Sequence, residues 1–111
     1  MQKLLILLLV TVFLLINNFT SPAIAADINQ GAEIFSLQCA GCHINGGNII
    51  RRGKNLKKPA LEKYGMNTIE AITGIITNGK NNMSAYKDRL TPEQIQQVAA
   101  YVLQQAETGW H

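Results

Sequence analysis

Three features of this 111-residue sequence predict an all-α fold. Apolar residues recur at i, i+3, i+4 and i+7 in the last third of the chain, the period of one helix face. Capping residues stand where such periods begin, and glycine or irregular sequence where they end. No segment alternates polar and apolar residues for more than a few positions, as a half-buried strand would.

The first 25 residues are expected to leave the protein. Met1-Gln2-Lys3 makes a short positive start, 4–16 is an apolar run, and Ala23-Ile24-Ala25 puts small residues where a signal peptidase reads. This is the secretory pattern, with cleavage between Ala25 and Ala26. It divides the chain into a signal peptide, 1–25, and one domain, 26–111. A retained membrane anchor is the competing reading, but the apolar run is shorter than the roughly 20 residues a spanning helix needs. The remaining domain is small enough to need a metal, disulfides or a cofactor for stability.

The domain's first helix is expected over 29–41, with Gly31, Ile34, Phe35 and Gln38 on one face and Asp27 or Asn29 as the cap. The stretch 45–57 is glycine-rich, basic and without helical period, hence a loop. A short helix follows over 58–65, with Pro59 in its first turn and Gly65 just past its end. Thr68 caps the next helix, which stops at Gly79 and carries a stripe of Ile69, Ile72, Ile75 and Ile76. A second loop, 80–90, leads to the clearest helix. Thr91-Pro92-Glu93-Gln94 combines a capping threonine, proline at the first position and glutamine at the third. Ile95, Val98, Ala99, Val102, Leu103 and Ala106 then follow one face. Gly31 and Phe35 facing Tyr101 would let the first and last helices of the domain cross closely. Trp110 reads as a plug at the helix end.

Ten Lys and Arg against seven Asp and Glu give the full chain a charge of +3; losing Lys3 leaves nine against seven, or +2. That balance implies neither nucleic acid nor a polybasic membrane surface. It leaves room for a local basic patch that docks acidic partners.

Both cysteines fall in Cys39-Ala40-Gly41-Cys42-His43, a C-x-x-C-H haem attachment sequence. Thiols three residues apart can reach the two vinyl groups on one edge of a porphyrin, and the adjacent His43 imidazole then lies under the iron. Its other ring nitrogen is expected to donate to a backbone carbonyl. A lone disulfide is another reading of two cysteines in an exported chain. A thioredoxin-like redox pair would need a βαβ context that is absent, and structural zinc needs a fourth ligand. Met66, Met83 and His111 are candidates for the opposite side of the iron. Met83 lies in the irregular 80–90 loop, where a chain can wrap the far haem face. Met66 fits equally as a core methionine, and His111 is terminal and expected to fray. A Met/His pair raises the potential and fills both axial positions, which leaves electron transfer.

With the motif in place, essentially all of 26–111 resembles the cytochrome c6 family of cyanobacteria and algal plastids. The likeness runs through Gly31-Ala32-Glu33-Ile34-Phe35-Ser36, Gly46-Gly47-Asn48, Leu61-Glu62-Lys63-Tyr64-Gly65-Met66, Thr77-Asn78-Gly79-Lys80-Asn81, Val98-Ala99-Ala100-Tyr101-Val102-Leu103 and Gly109-Trp110. It implies a small class I cytochrome c fold, about four helices around one covalently bound haem c, with Met83 as the distal ligand opposite His43. It further implies a one-electron carrier, not an enzyme, in the thylakoid lumen or periplasm. That carrier would be a monomer, not membrane-spanning after cleavage. It would take electrons from the cytochrome b6f complex and pass them to photosystem I or a terminal oxidase. In this family an arginine at the position of Arg89 helps dock the carrier. Arg89, Lys80 and Lys87 therefore form the candidate docking patch, set against the plainer reading of a solvated charged loop.

Two departures matter. The family commonly reads Asn-Ala-Met-Pro-Ala-Phe around the ligand, where this chain has Asn81-Asn82-Met83-Ser84-Ala85-Tyr86. Without proline the loop loses a fixed φ, which makes the methionine bond more labile. The family also commonly has glutamine where Ile75 aligns, and some variant c6-like groups carry an aliphatic residue there. An alkyl chain near the iron–ligand pair alters hydrogen bonding and dielectric, so Ile75 is the candidate for potential tuning. These departures support a low-potential c6-like paralogue with a different partner as the alternative. A haem-based small-molecule sensor or weak peroxidase, with Met83 displaced, is the rival from another class.

Overall fold

The computed structural model describes residues 1–17 and 23–111, the side chains of 17 and 23–27 excepted. The side chains at the expected cleavage point between Ala25 and Ala26 lie outside the described ones. Among the described residues there are six α-helices and one 3-10 turn. They are α1 (Gln2–Asn17), α2 (Ala23–Gln38), α3 (Ala40–His43), the turn Ile44–Gly46, α4 (Lys58–Lys63), α5 (Ile69–Asn78) and α6 (Pro92–Thr108). Among the described residues, extended pairing is confined to one isolated bridge between Lys80 and Met83. The all-α expectation holds.

The apolar run 4–16 lies within α1, and its side chains, Leu5 and Leu9 among them, are exposed. No described helix is long and apolar enough to cross a membrane.

The expected 29–41 helix is corrected at both ends. It starts at Ala23, because the alanines and isoleucine of 23–26 extend it ahead of Asp27, so Asp27 and Asn29 are interior residues and neither is a cap. It stops at Gln38, because Cys39 leaves helical geometry at φ −120°, ψ −34°. The rest of the attachment motif then sits on a separate single turn, α3.

The later elements begin as their caps require. The Thr68 hydroxyl accepts from the Ala71 N–H at 3.1 Å and starts α5. At α6 the capping box closes in both directions: Gln94 N–H to the Thr91 hydroxyl at 3.1 Å, and Thr91 N–H to the Gln94 side chain at 2.9 Å. Such a cap is worth about 1 kcal/mol over alanine.

Helix α6 is the spine of the domain, with α2 crossing it and α5 packed beside it. Phe35, Leu61, Ile72, Ile76, Ile95 and Val98 are buried in the resulting core, each contributing about 1.5–3 kcal/mol through removal from water. The crossing is close because Gly31 has no side chain. A Cβ there would collide with the Gln97 carbonyl and touch Tyr101. Next to it, the Phe35 ring lies tilted at 5.3 Å from Tyr101 and 5.2 Å from Trp110, and Tyr101 meets Trp110 edge-on at 6.1 Å. Pairs of this kind add about 0.5–1.5 kcal/mol beyond burial. Trp110 is a plug in the sense expected: its Nε1–H donates to the Leu56 carbonyl at 3.0 Å and closes the 45–57 loop over the helix end.

Candidate haem site

The attachment motif is held by its own backbone. The Cys39 N–H donates to Phe35 at 2.9 Å, and the Cys42 and His43 N–H groups donate back to the Cys39 carbonyl at 3.2 and 3.0 Å. This single turn swings Cys39, Cys42 and His43 toward one side of the chain. Just beyond, Asn45 and Gly46 take left-handed geometry, at φ 52° and 75°. Gly46 is needed there twice over, since any Cβ would lie 2.5 Å from the Trp110 ring. The sharp turn brings the Gly47 carbonyl back to the His43 ring, with Nδ1 and oxygen 2.8 Å apart. A carbonyl can only accept, so Nδ1 carries the proton and Nε2 keeps the lone pair a metal would take.

His43 and both cysteines line a cavity of about 350 Å³, within the range of ligand sites. Its floor is apolar and comes from helices distant in sequence: Phe35 from α2, Leu61 from α4, Ile72 and Ile76 from α5, Val98 and Val102 from α6. Met83 and Met66 both line it; His111 does not. Met83 is half-buried, and two hydrogen bonds of 3.0 Å pin its backbone to Lys80. The His111 carbonyl accepts from Gln105 at 2.9 Å. No disulfide joins Cys39 and Cys42. Before any haem attaches, burial, reinforced by the neighbouring Cys42, pushes the Cys39 thiol up to about 11.

The other sequence candidates fall into two groups. Ile75 lines the cavity and packs against the core, so its place in the stripe and its place at the site are the same position. Lys80 is exposed at the cavity rim. Lys87 and Arg89 are exposed outside it; the Arg89 guanidinium lies 5.2 Å from the centre of the Tyr86 ring. Arg51 and Lys54 also line the cavity, and neither was singled out from sequence. The only signal was the basic character of 45–57, which does not say which way each side chain turns.

An apolar cavity, two thiols on its wall and a histidine offering its lone pair are what a covalently held haem requires. Zinc is a poor match, because no cluster of three or more His, Cys, Asp and Glu side chains suited to a metal ion occurs among the described residues. Fold and site together define a small c-type cytochrome.

A family model described as cytochrome C oxidase, cbb3-type, subunit III, matches residues 26–102. The chain is 66% identical over 110 residues to a cytochrome c6-like protein of Nostoc sp. strain PCC 7120, covering 99% of each. It is 53% identical to the cytochrome c6 of the same organism, again over 99% of each. Among solved structures it is similar to cytochrome c6C from Synechococcus sp. PCC 7002, at 62% identity and a TM-score of 0.71, over 73% of this chain and 99% of that one. The chain belongs to the cytochrome c6 family. It is therefore a haem electron carrier with covalently bound haem c, and not an enzyme.

Proposed function

We propose that Cys39 and Cys42 hold the haem through thioethers, that His43 Nε2 and the Met83 sulfur are its axial ligands, and that the carrier works after export. The observation that carries this reading is the convergence of all four side chains on one apolar cavity. The group supplies a one-electron iron couple when bound; the protein's part is to hold that iron still. The Gly47 carbonyl orients His43 from one side, and the paired Lys80–Met83 backbone steadies the methionine on the other. His43 and Met83 would both hold the iron in either oxidation state, so little would rearrange as its charge changes, which suits fast electron transfer. That arrangement would also leave no open position, so carbon monoxide should not bind the reduced protein at neutral pH. Ready binding would favour the sensor or weak peroxidase instead.

In this reading the signal 1–25 is removed and residues 26–111 work as a monomer in the thylakoid lumen or periplasm. The donor is the cytochrome b6f complex and the acceptor is photosystem I or a terminal oxidase. Lys80, Lys87 and Arg89 dock those partners through charge, so encounter slows as salt rises. The deciding experiment is flash oxidation of the reduced holoprotein by photosystem I particles. A second-order rate that falls with ionic strength, and falls further in Arg89→Glu, supports photosystem I as the acceptor; no oxidation removes photosystem I and leaves the terminal oxidase.

A second reading has its own observation. Ile75 puts an alkyl wall, not a hydrogen-bonding amide, on the cavity. A depressed midpoint potential would then mark a c6-like paralogue serving a different partner. Identity is higher to the c6-like relative, at 66%, than to the c6 of the same organism, at 53%, which supports this alternative.

A further inference from the structure

The loop 80–90 carries Met83, and its hydrogen bonds run almost wholly to its own residues and to α5. Lys80 pairs with Met83, the Tyr86 N–H donates to the Ile76 carbonyl at 2.9 Å, and the Lys87 N–H donates to Thr77 at 3.3 Å. Ser84 follows the methionine, so no proline ring restricts φ there. Among the described residues one hydrogen bond leaves this region for the other wall of the cavity. The Tyr86 hydroxyl donates to the Gln38 carbonyl at 3.0 Å, across 48 residues of sequence. Gln38 is the last residue of α2 and directly precedes Cys39. The half-buried Tyr86 ring itself lines the cavity, and Arg89 covers it at 5.2 Å.

We propose that Tyr86 is a positioning residue: its hydroxyl latches the Met83 loop to the end of the haem-attachment helix and slows the opening that would free Met83 from the iron. The inference rests on Met83 being the distal ligand. Its chemistry is simple. The Gln38 carbonyl ends the helix with no following turn of α2 to accept from, and so offers an orphan acceptor. A phenol donating to it gives the loop a tie that side-chain packing alone would not direct. Because the acceptor belongs to the residue before Cys39, the tie spans the two sides that hold the iron. The ring is fixed at its other end by its own main chain, whose carbonyl accepts from both Arg89 and Leu90 at 2.9 Å.

The test uses the ferric holoprotein and imidazole, which can take the iron only once Met83 leaves. At imidazole concentrations where the rate no longer rises, that rate reads loop opening. Tyr86→Phe keeps the ring and removes only the hydroxyl, and should raise the limiting rate about three- to tenfold, as expected for one net hydrogen bond. Ile95→Val, a buried α6 change outside the cavity, is the stability control. It lowers global stability by a comparable amount and should leave the limiting rate unchanged. A Tyr86→Phe rate equal to that of the parent, with the methionine–iron charge-transfer band intact, overturns the latch. So does an equal acceleration in Ile95→Val, which would make opening a matter of global stability. Met83→Ala separates the two failures. Loss of the band upholds the ligand assignment on which the latch depends; a retained band removes that assignment, and the latch with it.

Discussion

The α2–α6 crossing and the Met83 loop face each other across the same cavity, yet they are built from different forces. The crossing is steric and apolar: Gly31 lets two backbones touch, and Phe35, Tyr101 and Trp110 seal the contact. The loop is held by a handful of polar ties around Lys80, Met83 and Tyr86, on side chains that are half-buried or exposed. Close packing is all-or-none, whereas single hydrogen bonds can be gained or lost by about 1 kcal/mol each. The crossing therefore sets whether the attachment motif is presented at all. The loop sets how firmly the opposite side is closed and so tunes the site.

The largest expected effect comes from removing the haem, which both regions share. The haem-free domain should lose its cooperative thermal transition by circular dichroism, because short helices around an empty cavity bury too little surface. A cooperative transition without haem would mean the crossing stands alone. Gly31→Val comes next. Its branched side chain has nowhere to go against the Gln97 carbonyl, and about 3 kcal/mol of stability should be lost in guanidinium titration of the holoprotein. A loss under 1 kcal/mol would show that the helices can part cheaply.

On the cavity wall, Ile75→Gln should raise the midpoint potential by roughly 30–60 mV in an optical titration, a tenfold change in a one-electron equilibrium being about 59 mV. No change, or a drop, would remove Ile75 from potential tuning and leave it a stripe residue. Thr91→Ala should cost about 1 kcal/mol by opening the α6 capping box, with no effect on potential. A shift in potential there would mean that strain at the start of α6 reaches the site and that the two regions are not separable.

Much of the architecture was legible from short-range signals. Thr68, Thr91 and Gln94 name their helix starts because a cap involves residues only a few positions apart. The isoleucine stripe of α5 and the apolar face of α6 follow from period alone, and the attachment motif is contiguous. The start of α2 was misplaced because Asp27 and Asn29 read as caps, although the chain is already helical from Ala23. Its end was misplaced because the break at Cys39 has no glycine or proline to announce it. Arg51 and Lys54 went unnoticed because the direction of a loop side chain depends on how the loop closes, here through Trp110 onto Leu56.

By itself the sequence determined the helical class and the caps of α5 and α6, and it put forward Cys39, Cys42 and His43 as the haem-attachment motif with a short list of distal candidates. Each of those rests on residues within a turn or two of one another. Tertiary structure alone decided that Met83 and Met66 share the cavity while His111 does not, that Ile75 serves core and site together, and that Tyr86 reaches Gln38. Those facts join positions tens of residues apart. They exist only after α2, α5 and α6 have packed and the loops between them have closed, a geometry that no local pattern encodes.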